Sequence, residues 1–507
     1  MGAGGHSLAR RIVSGVKSLR RALMTGDLGL ASAPTDRAGP IDRTLRLFAD
    51  VRSGEGTTAI LLALNVFLLL ATYYCIRPVR EALILSSAGG PELKSYLAAG
   101  QAVLLLGLVP AYGALADRLP RKRLLNTVTA FFIVCLVAFY GLAQADVPIA
   151  VVFFLWVGIF NLMIVAQFWS FANDLYTKQQ GERLFAIVAV GASLGAVLGA
   201  RLAGSLIPVF GLNQLLLVAA GLLALAVVIS NLVDTRERAQ QEGHLPSQLT
   251  TATVPAATGE YQIQTVEDAK KLTVSLPGVG PMSRRGTFKL VFRNRYLLLI
   301  ALLIMFVNWV NTTGEYILGR TVVDAADAAV AAGTAGGLSE SEYIGQFYSD
   351  FLFVVSIAAL GLQLFVVSRL IKYVGVRVGV LVLPLLAFTG YAVLAFAPAL
   401  ALVRLVKIAE NATDYSIQNT VRNVLFLPTS RDEKYKAKQA IDSFFWRAGD
   451  VLSAAVVFVG ITMLGMGTIG FARANLVLAC VWLLLALAVG REYARKSKAL
   501  ESYAATR

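Results

Sequence analysis

Histidine and cysteine are nearly absent from this chain of 507 residues, which contains two histidines and three cysteines. His6 and His244 lie outside the long apolar runs, which excludes a histidine metal site or proton relay in the core. Cys75, Cys135 and Cys480 lie within apolar runs, and their odd number implies no disulfide framework. We therefore expect no metal site and no cofactor. The sequence also has no paired nucleophile and base and no phosphate-binding loop, so we do not expect an enzyme.

Charged residues are scarce as well, at 15% of the chain, whereas 57% of the residues are hydrophobic and the mean hydropathy is +0.67. Many apolar runs approach about twenty residues, the length of a transmembrane helix. This composition predicts an all-α polytopic membrane protein in a lipid bilayer. The net charge of +15 could suggest nucleic-acid binding, but the basic residues are spread over loops, which is the pattern that sets membrane topology. We expect no nucleic-acid partner.

Changes in composition divide the chain into five parts. These are a basic N-terminal segment with an amphipathic helix (1–55), a six-helix half (56–233), a polar linker (234–294), a second six-helix half (295–490) and a basic tail (491–507). Helix 7 is predicted at 296–318, followed by an acidic loop from Val322 to Tyr343, and helix 12 at 469–490. The positions of Lys and Arg place both termini in the cytoplasm.

An internal repeat supports two halves. At one constant spacing, Asn65, Tyr73 and Arg77 recur as Asn308, Tyr316 and Arg320. Such a parallel repeat predicts a substrate site between the two halves.

Helix 5 carries three glycines at four-residue spacing, Gly191, Gly195 and Gly199. Small residues allow helices to approach closely in lipid, so this ridge predicts tight packing against a neighbouring helix.

The predicted span at 399–427 has an unusually polar centre, which lies between Arg404 and Arg422. At about 100° per residue, one helical face carries Arg404, Lys407, Asn411, Asp414, Gln418 and Arg422, with Glu410 at its edge. An ionisable group in the bilayer centre costs roughly 2.5 to 3.5 kcal/mol, so this stripe should face a cavity.

Three other helices add polar groups to that cavity. Helix 1 carries Arg77, Arg80 and Glu81 around Pro78, which should kink or break the helix. Arg77 and Glu81 are spaced for an ion pair, but either arginine could instead bind an anionic substrate. Helix 7 places Asn308, Asn311, Thr312 and Glu315 on one face, and helix 11 carries Asp442, Arg447 and Asp450.

The polar residues of these helices, together with those of the loop after helix 2, form two candidate groups. Candidate substrate ligands are Arg77, Arg80, Asn308, Asn311, Glu315, Arg404, Lys407, Asn411, Asp414 and Arg422. Candidates for coupling or gating are Asp117, Arg118, Arg121, Glu81, Glu410, Asp442, Arg447 and Asp450.

The loop after helix 2, GALADRLPRKR from Gly113 to Arg123, resembles the signature between the second and third helices of the major facilitator superfamily. One position departs from that signature, Pro120 in place of its internal glycine. The resemblance implies a major-facilitator-type fold of twelve transmembrane helices. Contacts of Asp117 with basic residues could bias the inward and outward states.

Three further stretches resemble the bacterial branch of the nucleotide (ATP/ADP) transporter family. They are RPVREALILS from Arg77, FWSFAND from Phe168, and ENATDYSIQNTVRNVLFLPTSRDEKYKAKQAIDSFFWRAGD from Glu410. The resemblance implies an ATP/ADP-type exchanger in a bacterial inner membrane, and we expect a monomer. A triphosphate would suit Arg80, Lys407, Arg404 and Arg422, because desolvated phosphate oxygens gain most from charged donors.

The chain departs from that family at three charged positions. The acid of helix 4 falls near Val157, the acid of helix 7 maps to Asn311, and the lysine of helix 11 maps to Asp450, while Arg80 keeps the charge of helix 1. Two alternatives therefore stay open: a proton-coupled facilitator for another small organic anion, and a non-transporting membrane scaffold or receptor. Protons could act on Glu315, Glu410, Asp414 or Asp450, because burial favours a neutral carboxyl group when no cation pairs with it.

Overall fold

The protein is a bundle of twelve transmembrane helices. The computed structural model describes residues 42, 45–46, 50–52, 54–116, 120–243, 253–256, 259–262, 287–430, 433 and 437–505. The first six helices are α1 (Glu55–Leu85), α2 (Gly90–Ala116), α3 (Arg121–Gln144), α4 (Ala150–Leu175), α5 (Lys178–Phe210) and α6 (Gln214–Gly243). α1 is continuous through Pro78, so the expected break at that residue was wrong.

The second half repeats this number of helices. They are α7 (Arg295–Ala331), α8 (Glu340–Leu362), α9 (Val376–Leu394), α10 (Leu400–Thr413, then Asn419–Val424), α11 (Lys438–Ala440, then Trp446–Thr462) and α12 (Thr468–Ala505). Among the described residues, π-helical turns include Gln363–Val367 and Leu370–Val374 after α8, Asp414–Gln418 within α10, and Ile441–Phe445 within α11.

Several helices are longer than the hydropathy pattern predicted, among them α6, which continues to Gly243 in the expected polar linker. α7 continues to Ala331, into the expected acidic loop, and α12 continues to Ala505 through most of the basic tail. In the linker, β1 (Thr253–Ala256) and β2 (Gly259–Gln262) form an antiparallel pair, and a short helix covers Thr287–Arg293. The strands lie outside the helical halves and leave the all-α character of the bundle unchanged.

Within the part of the chain that the structure describes, ten helices are long and apolar enough to cross a membrane. The other two are α2, which packs against α11 and α7 of the other half, and the charged, interrupted α10. Both direct polar side chains, such as Lys94 and Asn411, into the space between the halves and keep apolar residues, such as Val103 and Leu405, exposed on other faces.

The packing of the first half is repeated in the second. α1 packs against α4, α5 and α6, and α7 packs against α10, α11 and α12; likewise α3 packs against α6 as α9 packs against α12. The halves meet through α2 with α11 and through α5 with α8. This arrangement is the expected pair of six-helix halves related by a parallel repeat.

The glycine ridge of α5 lies against the backbone of α1. A side chain at Gly191, Gly195 or Gly199 would clash with the backbone of Ala63, Phe67 or Ala71. The predicted close packing is confirmed, and it explains why these three positions need glycine.

The two halves are held together at the end of the bundle where α1 and α5 end and α8 begins. There Ser349 of α8 donates a hydrogen bond of 2.6 Å to the carbonyl oxygen of Ala200 in α5. Glu92 of α2 accepts hydrogen bonds from Tyr316 (3.0 Å) and Arg320 (2.9 Å) of α7. We call this region, opposite the end where α1 begins, the far end.

Candidate functional site

A polar cavity of about 160 Å³ lies between the halves, where α1, α2 and α4 face α7, α10 and α11. Its charged lining comprises four cations and two acids, Arg77, Arg80, Lys94, Arg447, Glu315 and Asp450. The carboxamides of Gln101, Asn311 and Asn411 also line it. The excess of positive charge and the amides suit an organic anion with further hydrogen-bonding groups.

Arg77 of α1 reaches across the cavity to the other half. Its guanidinium donates a hydrogen bond of 3.4 Å to the hydroxyl of Tyr415 in α10. Among the residues that the structure describes, no carboxylate oxygen lies within 4 Å of Arg77, so the expected pair with Glu81 does not form. Arg77 is thus a cation of the lining that no acid neutralises at close range.

Arg80 and Lys94 share Glu81, which is buried. Arg80 donates to Glu81 and lies 4.9 Å from the centre of the Phe154 ring. Lys94 Nζ lies 2.7 Å from the other carboxylate oxygen of Glu81. Glu81, a predicted gating residue, therefore ties α1 to α2 within the first half.

A second set of charges lies in α7 and α10. Glu315 lies 3.6 Å from Lys94 and 3.6 Å from Lys407, and it accepts a hydrogen bond of 3.2 Å from Asn411. Lys407 is only 1% exposed and contacts Glu410 at 3.0 Å and the side-chain oxygen of Asn311 at 2.8 Å. Lys407 and Glu410 lie behind the cavity lining, where they neutralise each other.

Glu410 is held from two sides. Besides Lys407, it accepts a hydrogen bond of 3.0 Å from the hydroxyl of Tyr391 in α9. The ionic contacts thus form one chain of alternating sign from Arg80 through Glu81, Lys94, Glu315 and Lys407 to Glu410. Alternation allows so many charges to be buried, because each has a partner of opposite sign.

Asp450 of α11 forms a separate polar group with α7. It accepts hydrogen bonds from Asn308 (2.7 Å) and Thr312 (3.0 Å), and Arg447 lies 3.4 Å away. Asn308 does not line the cavity. It instead joins α7 to α11 through Asp450 and the carbonyl oxygen of Trp446.

The remaining predicted residues of α10 and α11 lie away from the lining. Arg404 lies 5.3 Å from the centre of the Phe347 ring, and Arg422 lies 5.2 Å from the centre of the Trp446 ring. Asp442 forms an ion pair of 2.8 Å with Lys438 and lies 3.9 Å from Arg422. The structure therefore separates these residues from Arg77 and Arg80, with which the sequence pattern had grouped them.

Asp414 begins the π-helical turn of α10 and is partly buried. Within the described ranges its side-chain carboxylate forms no hydrogen bond shorter than 3.5 Å and no ion pair shorter than 4 Å. Asp117 and Arg118 of the loop signature lie outside the described residues, and Arg121 begins α3.

Sequence reasoning missed Lys94, Gln101 and Tyr415. The apolar run of helix 2 begins only after Lys94, so hydropathy alone leaves this residue in the preceding loop. The spacing of Lys94, Ala98 and Gln101 places them on one face of a helix that begins earlier, and this pattern could have identified both polar residues.

A sequence match shows the family to which this chain belongs. Residues 62–424 match the family model of the Major Facilitator Superfamily, which covers most of both halves. The chain belongs to the Major Facilitator Superfamily. A search of curated proteins found no match.

Solved structures of this superfamily type share the fold. The nucleoside transporter NupG superposes with a TM-score of 0.56 at 15% identity, covering 85% of this chain and 98% of that one. A bacterial homologue of the human lysosomal transporter Spinster gives 0.54 at 13% identity, covering 87% and 98%. A POT family transporter in complex with 5-aminolevulinic acid gives 0.56 at 11% identity, covering 86% and 96%. At these identities the likeness establishes the fold.

Proposed function

We propose that this superfamily member is a secondary transporter that carries nucleotides by alternating access, in an exchange of the ATP/ADP type. The observation that carries the proposal is Arg77, which faces the cavity without a carboxylate partner among the described residues. An unpaired guanidinium in a partly desolvated site is costly unless an anion binds there. Arg80 and Lys94 beside it extend the positive surface to the size of a polyphosphate.

The size of the cavity bears on how a nucleotide would bind. Pockets that hold drug-sized ligands measure roughly 300 to 1,000 Å³, whereas this cavity has about 160 Å³. The space suits the phosphate groups, and the base and sugar require the halves to separate. Gln101, Asn311 and Asn411 are available to hydrogen-bond the uncharged part of the substrate.

The direct test is uptake of labelled ATP into proteoliposomes that contain ADP, compared with vesicles that contain no nucleotide. We expect uptake that depends on internal ADP and that Arg77→Gln strongly reduces, while Arg77→Lys retains more of it. Arg80→Ala should also reduce uptake strongly, because it removes a second cation of the lining.

Arg295→Gln is the matched control, because Arg295 lies at the start of α7 with its side chain 79% exposed and far along the helix from the cavity. It should transport like the wild type. A correctly folded wild-type protein that takes up no nucleotide would refute the proposed substrate.

One observation favours a second candidate, a proton-coupled carrier for another small organic anion. Asp414 lacks a close ion pair among the residues described, in contrast to Glu315, Glu410 and Asp450. Asp414→Asn should then abolish uptake driven by a pH gradient but spare exchange at equal pH. Full pH-driven uptake by this variant would exclude Asp414 as the coupling acid.

We further propose that the protein resides in a bacterial inner membrane as a monomer, with both termini in the cytoplasm. The excess of Lys and Arg in the segments that flank the two halves supports this orientation.

A further inference from the structure

Lys94 occupies a cage built from both halves of the protein. Its ammonium group lies 2.7 Å from Glu81 of α1, 3.6 Å from Glu315 of α7 and 5.3 Å from the centre of the Tyr348 ring of α8. The residue is only 9% exposed, yet it lines the cavity together with Gln101 of the same helix. Lys94 therefore lines the cavity and also contacts the second half of the protein.

The two ionic contacts of Lys94 are unequal. The shorter one, to Glu81, remains within the first half, whereas the longer one, to Glu315, joins the first half to the second. Glu315 also has partners in its own half, Lys407 at 3.6 Å and the donor Asn411 at 3.2 Å. If Lys94 turned away, Glu315 would keep a cation and a hydrogen bond, so the inter-half contact can break without leaving Glu315 unpaired.

We propose that Lys94 is a substrate ligand for which Glu315 and the anionic group of the substrate compete. This inference rests on the proposed function, since it requires an anionic substrate. Arg77 and Arg80 line the same cavity as Lys94, so one polyphosphate or carboxylate group can contact all three cations. A substrate anion that takes the place of Glu315 breaks the ionic link between the halves.

This competition ties occupation of the site to movement of the halves. The Lys94–Glu315 contact opposes separation of the halves near the far end, and the bound anion removes that opposition. A carrier of this kind moves readily only when loaded, which is the property that exchange without leakage requires.

The experiment compares Glu315→Gln with the wild type in proteoliposomes, with labelled ATP as the probe. Removal of the competing carboxylate leaves Lys94 with Glu81 as its remaining acid. If Glu315 holds Lys94 away from the substrate in about nine-tenths of the wild-type protein, the ATP concentration for half-maximal exchange should fall by about tenfold. Efflux of internal ATP without external nucleotide should also rise, because the link between the halves is lost.

Asp450→Asn is the matched control. It removes the other acid of the lining, with the same change in cavity charge, but Asp450 is paired with Arg447 rather than with Lys94. It should change the half-maximal concentration less than Glu315→Gln does and should not start efflux. Equal effects of the two variants would mean that only the overall charge matters and would overturn the competition.

A second pair of variants tests Lys94 itself. Lys94→Gln should raise the half-maximal ATP concentration and permit efflux, whereas Lys94→Arg, which keeps the charge, should restore most of the affinity. Thermal unfolding of each purified variant, with and without ATP, shows that it is folded and measures ATP binding independently of transport.

The outcomes separate this inference from the proposed function. If the wild type exchanges nucleotides but Glu315→Gln has an unchanged or higher half-maximal concentration and no efflux, the competition is wrong and the nucleotide carrier stands. If the folded wild type neither binds nor exchanges nucleotides, the proposed function fails first.

Discussion

The two walls of the cavity hold their charges in different ways. The wall formed by α1 and α2 presents Arg77, Arg80 and Lys94, and Glu81, the acid that contacts both Arg80 and Lys94, is buried beside them. The wall formed by α7, α10 and α11 presents Glu315, Asp450 and Arg447 together with the amides of Asn311 and Asn411.

The two walls therefore have different roles: the first attracts an anion, and the second can distinguish one anionic substrate from another. The first wall has surplus positive charge for an anion, whereas the second is nearly neutral and supplies directional hydrogen bonds. Because the two halves repeat the same arrangement of helices, the walls differ in charge although their helices are equivalent. Arg77 faces the cavity, while its counterpart Arg320 is bound by Glu92 at the far end.

The largest effect on the second wall should come from Lys407→Met. This change leaves Glu315 and Glu410 buried without their common cation, and loss of one partner of a buried pair costs about 3–5 kcal/mol. We expect a much lower melting temperature in detergent, and poor recovery of folded protein. Arg77→Met, which leaves no acid unpaired, should melt close to the wild type. Equal melting of Lys407→Met and the wild type would show that Lys407 is not needed to neutralise these acids.

The next largest effect should be the difference between Arg77→Gln and Arg447→Gln in transport. Arg447 is partly neutralised by Asp450, so its loss removes less attraction for an anion than the loss of Arg77. A charge-assisted hydrogen bond contributes about 1.5 to 3 kcal/mol. We therefore expect the ATP concentration for half-maximal uptake to be at least about tenfold higher in Arg77→Gln than in Arg447→Gln. Initial rates over a range of ATP concentrations measure this. A larger increase for Arg447→Gln than for Arg77→Gln would mean that the second wall attracts the anion.

A smaller effect should follow from opening the contact between Glu92 and Arg320. The side chain of Arg320 is 39% exposed, so solvent screens the pair and it should contribute only about 0.5 to 1 kcal/mol. Glu92→Gln should slightly increase ATP efflux, and adding Arg320→Gln should cause little further change, since both remove one interaction. Fully additive effects would indicate that the two residues act separately.

A comparably small effect should be that of Asn411→Ala. A net hydrogen bond contributes about 0.5 to 1.5 kcal/mol, so we expect a change of a few fold in the relative uptake of ATP and GTP, with total uptake nearly preserved. Competition between the two labelled nucleotides measures this ratio. A large loss of uptake of both would place Asn411 in the attraction of the anion instead.

The fold could be predicted from the sequence because its determinants are local or repeated. Apolar runs define helices, and the recurrence of Asn65, Tyr73 and Arg77 indicates two halves. The roles of the charged residues could not be predicted as well, because a helical face does not reveal which neighbour covers it. Lys407 shares the polar face of α10, but Asn311 and Glu315 of α7 lie between it and the cavity.

The single stripe predicted along α10 failed for a related reason. The prediction assumed a constant 100° per residue, whereas the π-helical turn Asp414–Gln418 changes the rotation within the stripe. Residues after the turn are directed elsewhere, and Arg422 accordingly contacts Trp446 and Asp442 of α11. Hydropathy carries no signal for such a turn.

The glycine ridge between α5 and α1 has a mechanical consequence. Three successive turns of α5 rest on the backbone of α1, so neither helix can slide by one residue without a steric clash. α5 also contacts α8 of the other half, and α1 carries Arg77 and Arg80. We therefore expect the two helices to move together, so that a displacement at the α5–α8 contact also shifts the arginines of the cavity.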